Sequence, residues 1–104
     1  MKRVLLPAVL GLGLTALAAP AFAELALATS KNCMSCHAVE RKVLGPSFKD
    51  VAAKYKDDKG AVDTLASKIM KGGSGVWGPV PMPANNQVSE ADAKKLAAWV
   101  LSTK

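Results

Sequence analysis

Apolar positions along this chain repeat with the spacing of α-helices, and no stretch alternates convincingly as a β-strand would. The predicted helices cover residues 24–32, 47–55, 61–71 and 89–102. In the second of them, Phe48, Val51 and Tyr55 fall three and four residues apart and share one face. Ser47 and Ser89 stand at the N-cap positions of the second and the fourth helix. The pattern therefore predicts an all-α domain of about four helices.

A long uncharged segment separates the last two predicted helices. Its sequence, "GGSGVWGPVPMPANNQV" over residues 72–88, holds four glycines and three prolines. Loops of this length in a small domain are often functional. The segment carries Val76, Trp77, Val80 and Met82 where a solvated linker would carry Lys or Glu. We therefore expect it to pack against an apolar surface.

The N-terminal residues have the pattern of a secretory signal peptide. Lys2 and Arg3 precede an apolar run over residues 4–19, and an A-x-A-type cleavage signal ends at Ala23. The alternative is a membrane anchor that is retained, but the run is short for a spanning helix of about 20 residues. We predict that residues 1–23 are cleaved as a signal peptide. The mature domain, residues 24–104, would then be periplasmic, with no stable membrane insertion.

The charge and the size of the chain reduce the number of functional classes that fit it. The sequence carries a net charge of +6 from 14 basic and 8 acidic residues. Without Lys2 and Arg3, the mature chain has 12 basic and 8 acidic residues, a net charge of +4. It has no arginine cluster and no alternation of aromatic and basic residues, so nucleic-acid binding is not predicted. The charge fits steering toward an acidic partner, or solubility alone. A domain this small commonly needs a disulfide, a metal or a cofactor for stability.

The only two cysteines and the only histidine stand together in "NCMSCHA", residues 32–38. A C-x-x-C pair suits a thioredoxin-type redox site, but such sites lie near a βαβ pattern. Structural zinc needs four ligands, and Cys33, Cys36 and His37 offer three. Covalent haem attachment uses all three residues, because two thiols form thioethers with the haem vinyl groups and the imidazole binds the iron. Export agrees with this chemistry, so we favour the haem interpretation.

The second axial ligand decides what such a haem can do, because an open iron binds small ligands and a closed one transfers electrons. The mature chain has three candidate methionines. Met34 lies inside the attachment motif and cannot reach the opposite haem face. Met70 lies on a predicted helix, where methionine commonly fills the core. Met82 stands between Pro81 and Pro83, which restrict its backbone, so it is the predicted sixth ligand.

The sequence resembles bacterial class I cytochromes c of the small cytochrome c-551/cytochrome c8 type. The segments that carry the resemblance are "CMSCHAVERKVLGPSFKDVAAKY", "KIMKGGSGVWGPVPMPANN" and "AKKLAAWVLSTK". The resemblance covers nearly the whole mature chain. It implies a small class I cytochrome c fold wrapped around one covalently bound haem c, with His37 and Met82 as the axial iron ligands.

The same resemblance implies three contacts around these ligands. They are a hydrogen bond from His37 Nδ1–H to the Pro46 carbonyl, one from the Trp77 indole N–H to a haem propionate, and an orienting contact of Asn85 with the Met82 ligand. The segment "PANNQVS" is one residue longer than in some relatives. Asn86 is therefore the alternative to Asn85.

We expect a periplasmic monohaem electron-transfer protein rather than an enzyme. Its partners would be redox proteins: a membrane quinol-oxidising complex, and a terminal acceptor such as a nitrite reductase, an oxidase or a photosynthetic reaction centre. We expect a monomer that docks through the haem edge and through Lys31, Lys42, Lys49 and Lys71. The alternatives are a small-ligand-binding or peroxidase-like haem protein with a displaceable Met82, and a haem-free thiol protein.

Overall fold

The computed structural model describes residues 19–104, so most of the predicted signal peptide lies outside the described residues. The described part is helical, and its only β-type pairing is an isolated antiparallel bridge between Gly73 and Met82. Its elements are α1 (Ala19–Ser30), a 3-10 turn (Cys33–Ser35), α2 (Phe48–Tyr55), α3 (Ala61–Lys71) and α4 (Glu90–Ser102). The all-α prediction is confirmed. None of the helices in this part of the chain has the length and apolar character needed to span a membrane.

The last three helices have the bounds that the sequence indicates. Ser47 caps α2 and Ser89 caps α4, since each serine Oγ accepts a hydrogen bond from the backbone N–H three residues on, at 3.1 Å. Gly72 ends α3 with a φ of 75°, and its N–H donates to the Lys68 carbonyl at 2.8 Å. These start and stop signals are local, which explains why the sequence pattern locates them.

The first helix differs from its predicted range of residues 24–32. Within the described residues α1 covers Ala19–Ser30, so it includes the last residues of the predicted signal peptide and ends at Ser30. The helical conformation of residues 19–23 follows from the alanine-rich sequence on both sides of Ala23, since alanine is the strongest helix former. The earlier end follows from Asn32, whose φ of 65° is left-handed and cannot continue a right-handed helix.

Helix α4 is the centre of the domain and packs against α1, α2 and α3, most extensively against α3. Its residues Ala93 and Ala97 are fully buried, and their small side chains allow neighbouring helices to approach closely. The buried core consists of Ala28, Phe48, Val51, Leu65, Ala66, Val88, Ala93, Leu96, Ala97 and Val100. Several of these residues also form the floor of a large cavity. The helices therefore serve as a rigid support for that cavity.

Candidate functional site

A cavity of about 610 Å³ lies between the 3-10 turn, α2, α3, α4 and the loop of residues 72–88. Its walls include the site residues predicted from the sequence: Cys33, Cys36, His37, Pro46, Trp77, Met82 and Asn85. Asn86, the alternative to Asn85, is exposed and is not part of these walls. The fold thus brings residues from both halves of the chain to one place.

Cys33 and Cys36 lie at either end of a tight turn that Asn32 introduces. The left-handed backbone at Asn32 ends α1, and the Cys36 N–H then donates to the Cys33 carbonyl at 3.3 Å. Residues three apart in a 3-10 turn eclipse each other, which places both cysteines on one side. The thiols are not bridged. Burial raises the pKa of the Cys33 thiol, whereas a reactive redox thiol needs a lowered pKa.

The His37 ring is held by contacts on several sides. Its Nδ1 lies 2.9 Å from the Pro46 carbonyl oxygen. A carbonyl can only accept, so Nδ1 is the donor of this hydrogen bond, and Nε2 is the ring nitrogen left to face a metal. The ring stacks on Phe48 with centroids 5.1 Å apart, and a Cβ at Gly45 would lie 2.8 Å from Nδ1. An imidazole oriented in this way is suited to bind a metal through Nε2.

The backbone of Met82 is attached to the end of α3. Its N–H donates to the Gly73 carbonyl at 2.8 Å, and the Gly73 N–H donates to the Met82 carbonyl at 3.0 Å. This approach requires Gly72, where a Cβ would lie 2.5 Å from the Met82 carbonyl oxygen. Met82 is half-buried in the cavity wall, whereas Met70 packs against the core. Of these two methionines, Met82 is therefore the one that lies in the cavity wall.

Asn85 and Trp77 belong to the same loop and have different partners. Asn85 Nδ2 donates to the Ile69 carbonyl at 2.9 Å and to the Pro83 carbonyl at 3.4 Å, so both hydrogen bonds that the amide donates go to backbone oxygens. Trp77 is 41% exposed. The Lys54 ammonium lies 5.6 Å from the centre of its ring, within cation–π range. Lys54 therefore connects α2 to the loop.

Most of the large apolar side chains that are exposed in residues 19–104 surround this cavity. They are Val43, Leu44, Val76, Trp77 and Val80, each 41–61% exposed. Apolar walls with a few polar groups are typical of cofactor sites. Together with two thiols, an imidazole and a thioether, these walls fit a haem. No three His, Cys, Asp or Glu side chains in the same residues form a group that could hold a metal ion, so the zinc alternative has no ligand set there.

The four lysines expected to guide docking have different surroundings. Lys42 lines the cavity. Lys31 donates to the Gln87 carbonyl at 3.3 Å, and Lys49 pairs with a glutamate carboxylate at 3.1 Å. Lys71 lies in a separate groove between α3 and α4. Of the four, only Lys42 is part of the cavity wall.

The profile of the family described as Cytochrome c matches residues 25–104. The chain belongs to the cytochrome c family. This cytochrome is 55% identical over 105 residues to cytochrome c-552 of Hydrogenobacter thermophilus, with 100% of both chains covered. The crystal structure of wild-type cytochrome c552 from Nitrosomonas europaea aligns with a TM-score of 0.76 at 56% identity, covering 77% of this chain and 99% of that one. The class 1 cytochrome MtoD of Sideroxydans lithotrophicus aligns with a TM-score of 0.64 at 30% identity, covering 79% and 94%.

The fold of this cytochrome is therefore that of class I c-type cytochromes, and the cofactor of its family is haem c, covalently attached and carrying iron. Sequence patterns missed part of what supports the site. Phe48 was expected on the buried face of α2, and it also stacks on the His37 ring. Gly45 and Gly72 matter because a side chain there would collide with neighbouring atoms. A glycine directly before a proline or at a helix end is the only signal that could have indicated them.

Proposed function

We propose that this cytochrome is a periplasmic monohaem carrier of single electrons. It would take them from a membrane quinol-oxidising complex and pass them to a reductase, an oxidase or a photosynthetic reaction centre. Haem c supplies the one-electron chemistry of its iron when bound. Cys33 and Cys36 would hold it as thioethers, with His37 and Met82 as its axial ligands. The observation that carries the proposal is that both axial candidates line one cavity and are held there by hydrogen bonds.

Rigid axial ligands favour electron transfer over catalysis. The His37 ring is restrained by its hydrogen bond to Pro46 and by stacking on Phe48. The backbone of Met82 cannot move away without breaking two hydrogen bonds to Gly73. Ligation by both residues would close the iron to small molecules, and the soft thioether would favour the ferrous state and so raise the reduction potential.

Pro46 and Trp77 would form hydrogen bonds in the surroundings of the cofactor. The Pro46 carbonyl accepts a hydrogen bond from the Nδ1–H of His37 and so raises the basicity of the ring. The Trp77 indole N–H would donate to a haem propionate. Lys54, over the face of that ring, would restrict the directions in which the indole can point.

Asn85 would support Met82 through the loop backbone. Its Nδ2 binds the carbonyl of Pro83, the residue after Met82, and the carbonyl of Ile69 at the end of α3. Asn86 is exposed and outside the cavity wall, which favours Asn85 for this role. Asn85 would therefore act on the position of the loop that carries the thioether.

Export and cleavage are part of the proposal. Removal of residues 1–23 would leave Glu24 as the first residue of a freely diffusing monomer. Mass spectrometry of the protein purified from the periplasm tests this directly. The expected mass is that of residues 24–104 plus one haem. A mass that retains the N-terminal apolar run would contradict cleavage, and a mass without haem would support the thiol-protein alternative.

Docking would use the exposed apolar side chains around the cavity, with Lys42 beside them. Val43, Leu44, Val76 and Val80 provide the apolar part of this surface. The neighbouring positive charge would attract an acidic partner and raise the association rate at low salt. The association rate with an isolated redox partner is expected to fall as ionic strength rises. A rate independent of salt would contradict a role for the lysines.

Two spectra distinguish the proposed electron carrier from the alternative, a ligand-binding or peroxidase-like protein. The ferric protein is expected to show the sulfur-to-iron charge-transfer band of methionine ligation. The ferrous protein is expected not to bind carbon monoxide at neutral pH. Ready carbon monoxide binding together with a missing band would favour the alternative and overturn the carrier proposal.

A further inference from the structure

Lys31 and Gln87, 56 positions apart in the chain, are joined by a reciprocal pair of hydrogen bonds. Lys31 Nζ donates to the Gln87 carbonyl, and Gln87 Nε2 donates to the Lys31 carbonyl, both at 3.3 Å. Lys31 follows the last residue of α1 and is followed by Asn32 and Cys33. The pair therefore connects the segment that begins the C-x-x-C-H motif to the far end of the 72–88 loop.

The Gln87 amide extends this connection to Asn85. Its Nε2 also donates to Asn85 Oδ1 at 3.2 Å. The Asn85 backbone N–H donates to the Ile69 carbonyl at 3.1 Å, next to the Nδ2 hydrogen bond to the same oxygen. We call Lys31, Asn85 and Gln87 the clasp. It joins the end of α1, the end of α3 and the loop that carries Met82.

The clasp and the Gly73 pairing hold the Met82 loop at two places. The Gly73 pairing holds Met82 itself to the end of α3. The clasp holds the later part of the loop to the end of α1 as well. Its hydrogen bonds lie at the surface, where each contributes modestly. The clasp can therefore open while the buried core stays folded.

We propose that Gln87 is a positioning residue, which keeps the Met82 loop closed over the cavity and so sets how readily an outside ligand replaces Met82. This inference rests on the proposed axial role of Met82. An outside ligand can bind only when the loop is open. Its apparent dissociation constant is therefore the intrinsic constant divided by the open fraction. Breaking the clasp raises the open fraction and increases the affinity for the outside ligand by the same factor.

The test is a titration of the ferric, haem-loaded protein with imidazole, followed through the loss of the sulfur-to-iron charge-transfer band. Gln87→Leu removes both Nε2 hydrogen bonds and keeps a side chain of similar size, while Lys31→Leu removes the Nζ hydrogen bond. Each variant is expected to bind imidazole about three- to tenfold more tightly than the wild type, the range for one or two lost hydrogen bonds. Lys31→Arg keeps a donor and is expected to restore the wild-type affinity.

Asn86→Ala is the matched control, because Asn86 lies in the same loop, is exposed and is outside the clasp. Its imidazole affinity is expected to equal that of the wild type. Gln87→Leu with wild-type affinity would overturn the role of Gln87, even if its unfolding free energy had fallen. If Gln87→Leu does not fold, the Lys31→Leu affinity decides in the same way. A wild-type protein without the charge-transfer band would instead overturn Met82 ligation itself, so the two failures are distinct.

Discussion

Met82 and Gly73 form an isolated antiparallel pair, in which each residue donates its N–H to the carbonyl of the other, at 2.8 and 3.0 Å. The residue that we propose as an iron ligand is thereby fixed to the end of a helix through its backbone. Side-chain packing alone would leave a flexible thioether more freedom. We therefore expect that substitutions of the supporting glycines, and not only substitutions of Met82, will affect the site.

Replacing the thioether tests the role of Met82. Met82→Ala is expected to lose the sulfur-to-iron charge-transfer band, to lower the reduction potential and to gain carbon monoxide binding, because the iron loses its soft sixth ligand. Met70→Leu is the control, since Met70 packs against the core, and it is expected to keep all three properties. Optical spectra and a potentiometric titration make the comparison. A band that survives in Met82→Ala would contradict the assignment.

Alanine substitutions at Gly72 and at Gly75 distinguish the effect of a steric clash from the effect of backbone strain. Both have positive φ values, but only Gly72 has a close neighbour, since a Cβ there would lie 2.5 Å from the Met82 carbonyl oxygen. Gly72→Ala is expected to weaken the charge-transfer band and to lower the unfolding free energy by about 1–3 kcal/mol. Gly75→Ala is expected to lower stability and to keep the band. Denaturant unfolding, followed at the charge-transfer band and in the far ultraviolet, measures the band and the unfolding free energy. An equal loss of the band in the two variants would contradict the explanation.

Gly45 provides the space that the His37 ring occupies. A Cβ at Gly45 would lie closest to Cε1 of that ring, 2.8 Å from Nδ1 and 3.0 Å from Nε2. Gly45→Ala is expected to displace the ring, to shift the reduction potential and to cost about 1–3 kcal/mol of stability. Gly60→Ala is the control, because its nearest atom would be a carboxylate oxygen at 3.5 Å. A Gly45→Ala protein with the wild-type potential and stability would show that the ring is not held there.

The Lys54–Trp77 contact is expected to couple α2 to the loop. The ammonium lies 5.6 Å from the centre of the indole ring, and cation–π contacts at exposed sites contribute about 0.5–1 kcal/mol. A double-mutant cycle with Lys54→Gln and Trp77→Leu, measured by urea unfolding, should give a coupling energy in that range. Lys56→Gln paired with Trp77→Leu is the charge-matched control, expected to show no coupling. Equal coupling in both cycles would mean that the contact has no specific effect.

The helices could be predicted because their signals are local. The apolar spacing in α2, α3 and α4 and the serine caps lie within a few residues of the elements they define. The bounds of α1 could not be predicted in the same way. Its first described residues lie in an alanine-rich stretch, and its end depends on the left-handed conformation of Asn32.

The candidate site could be predicted in its chemistry but only partly in its supporting contacts. The C-x-x-C-H motif and the Pro-Met-Pro segment indicate the groups that would bind haem, since few other chemistries use them together. The Gly73–Met82 pair and the clasp join segments with no periodic relation. Such contacts follow from the path of the whole chain. Only the folded structure shows that Gln87 lies beside Lys31.

A reversible redox titration of the purified, haem-loaded protein tests the central claim most directly, with the visible spectrum recorded at each potential. We expect one transition with the slope of a single electron, the same spectra in both directions, and the sulfur-to-iron band in every ferric sample. A transition with the slope of two electrons, or an irreversible spectral change, would contradict a monohaem one-electron carrier.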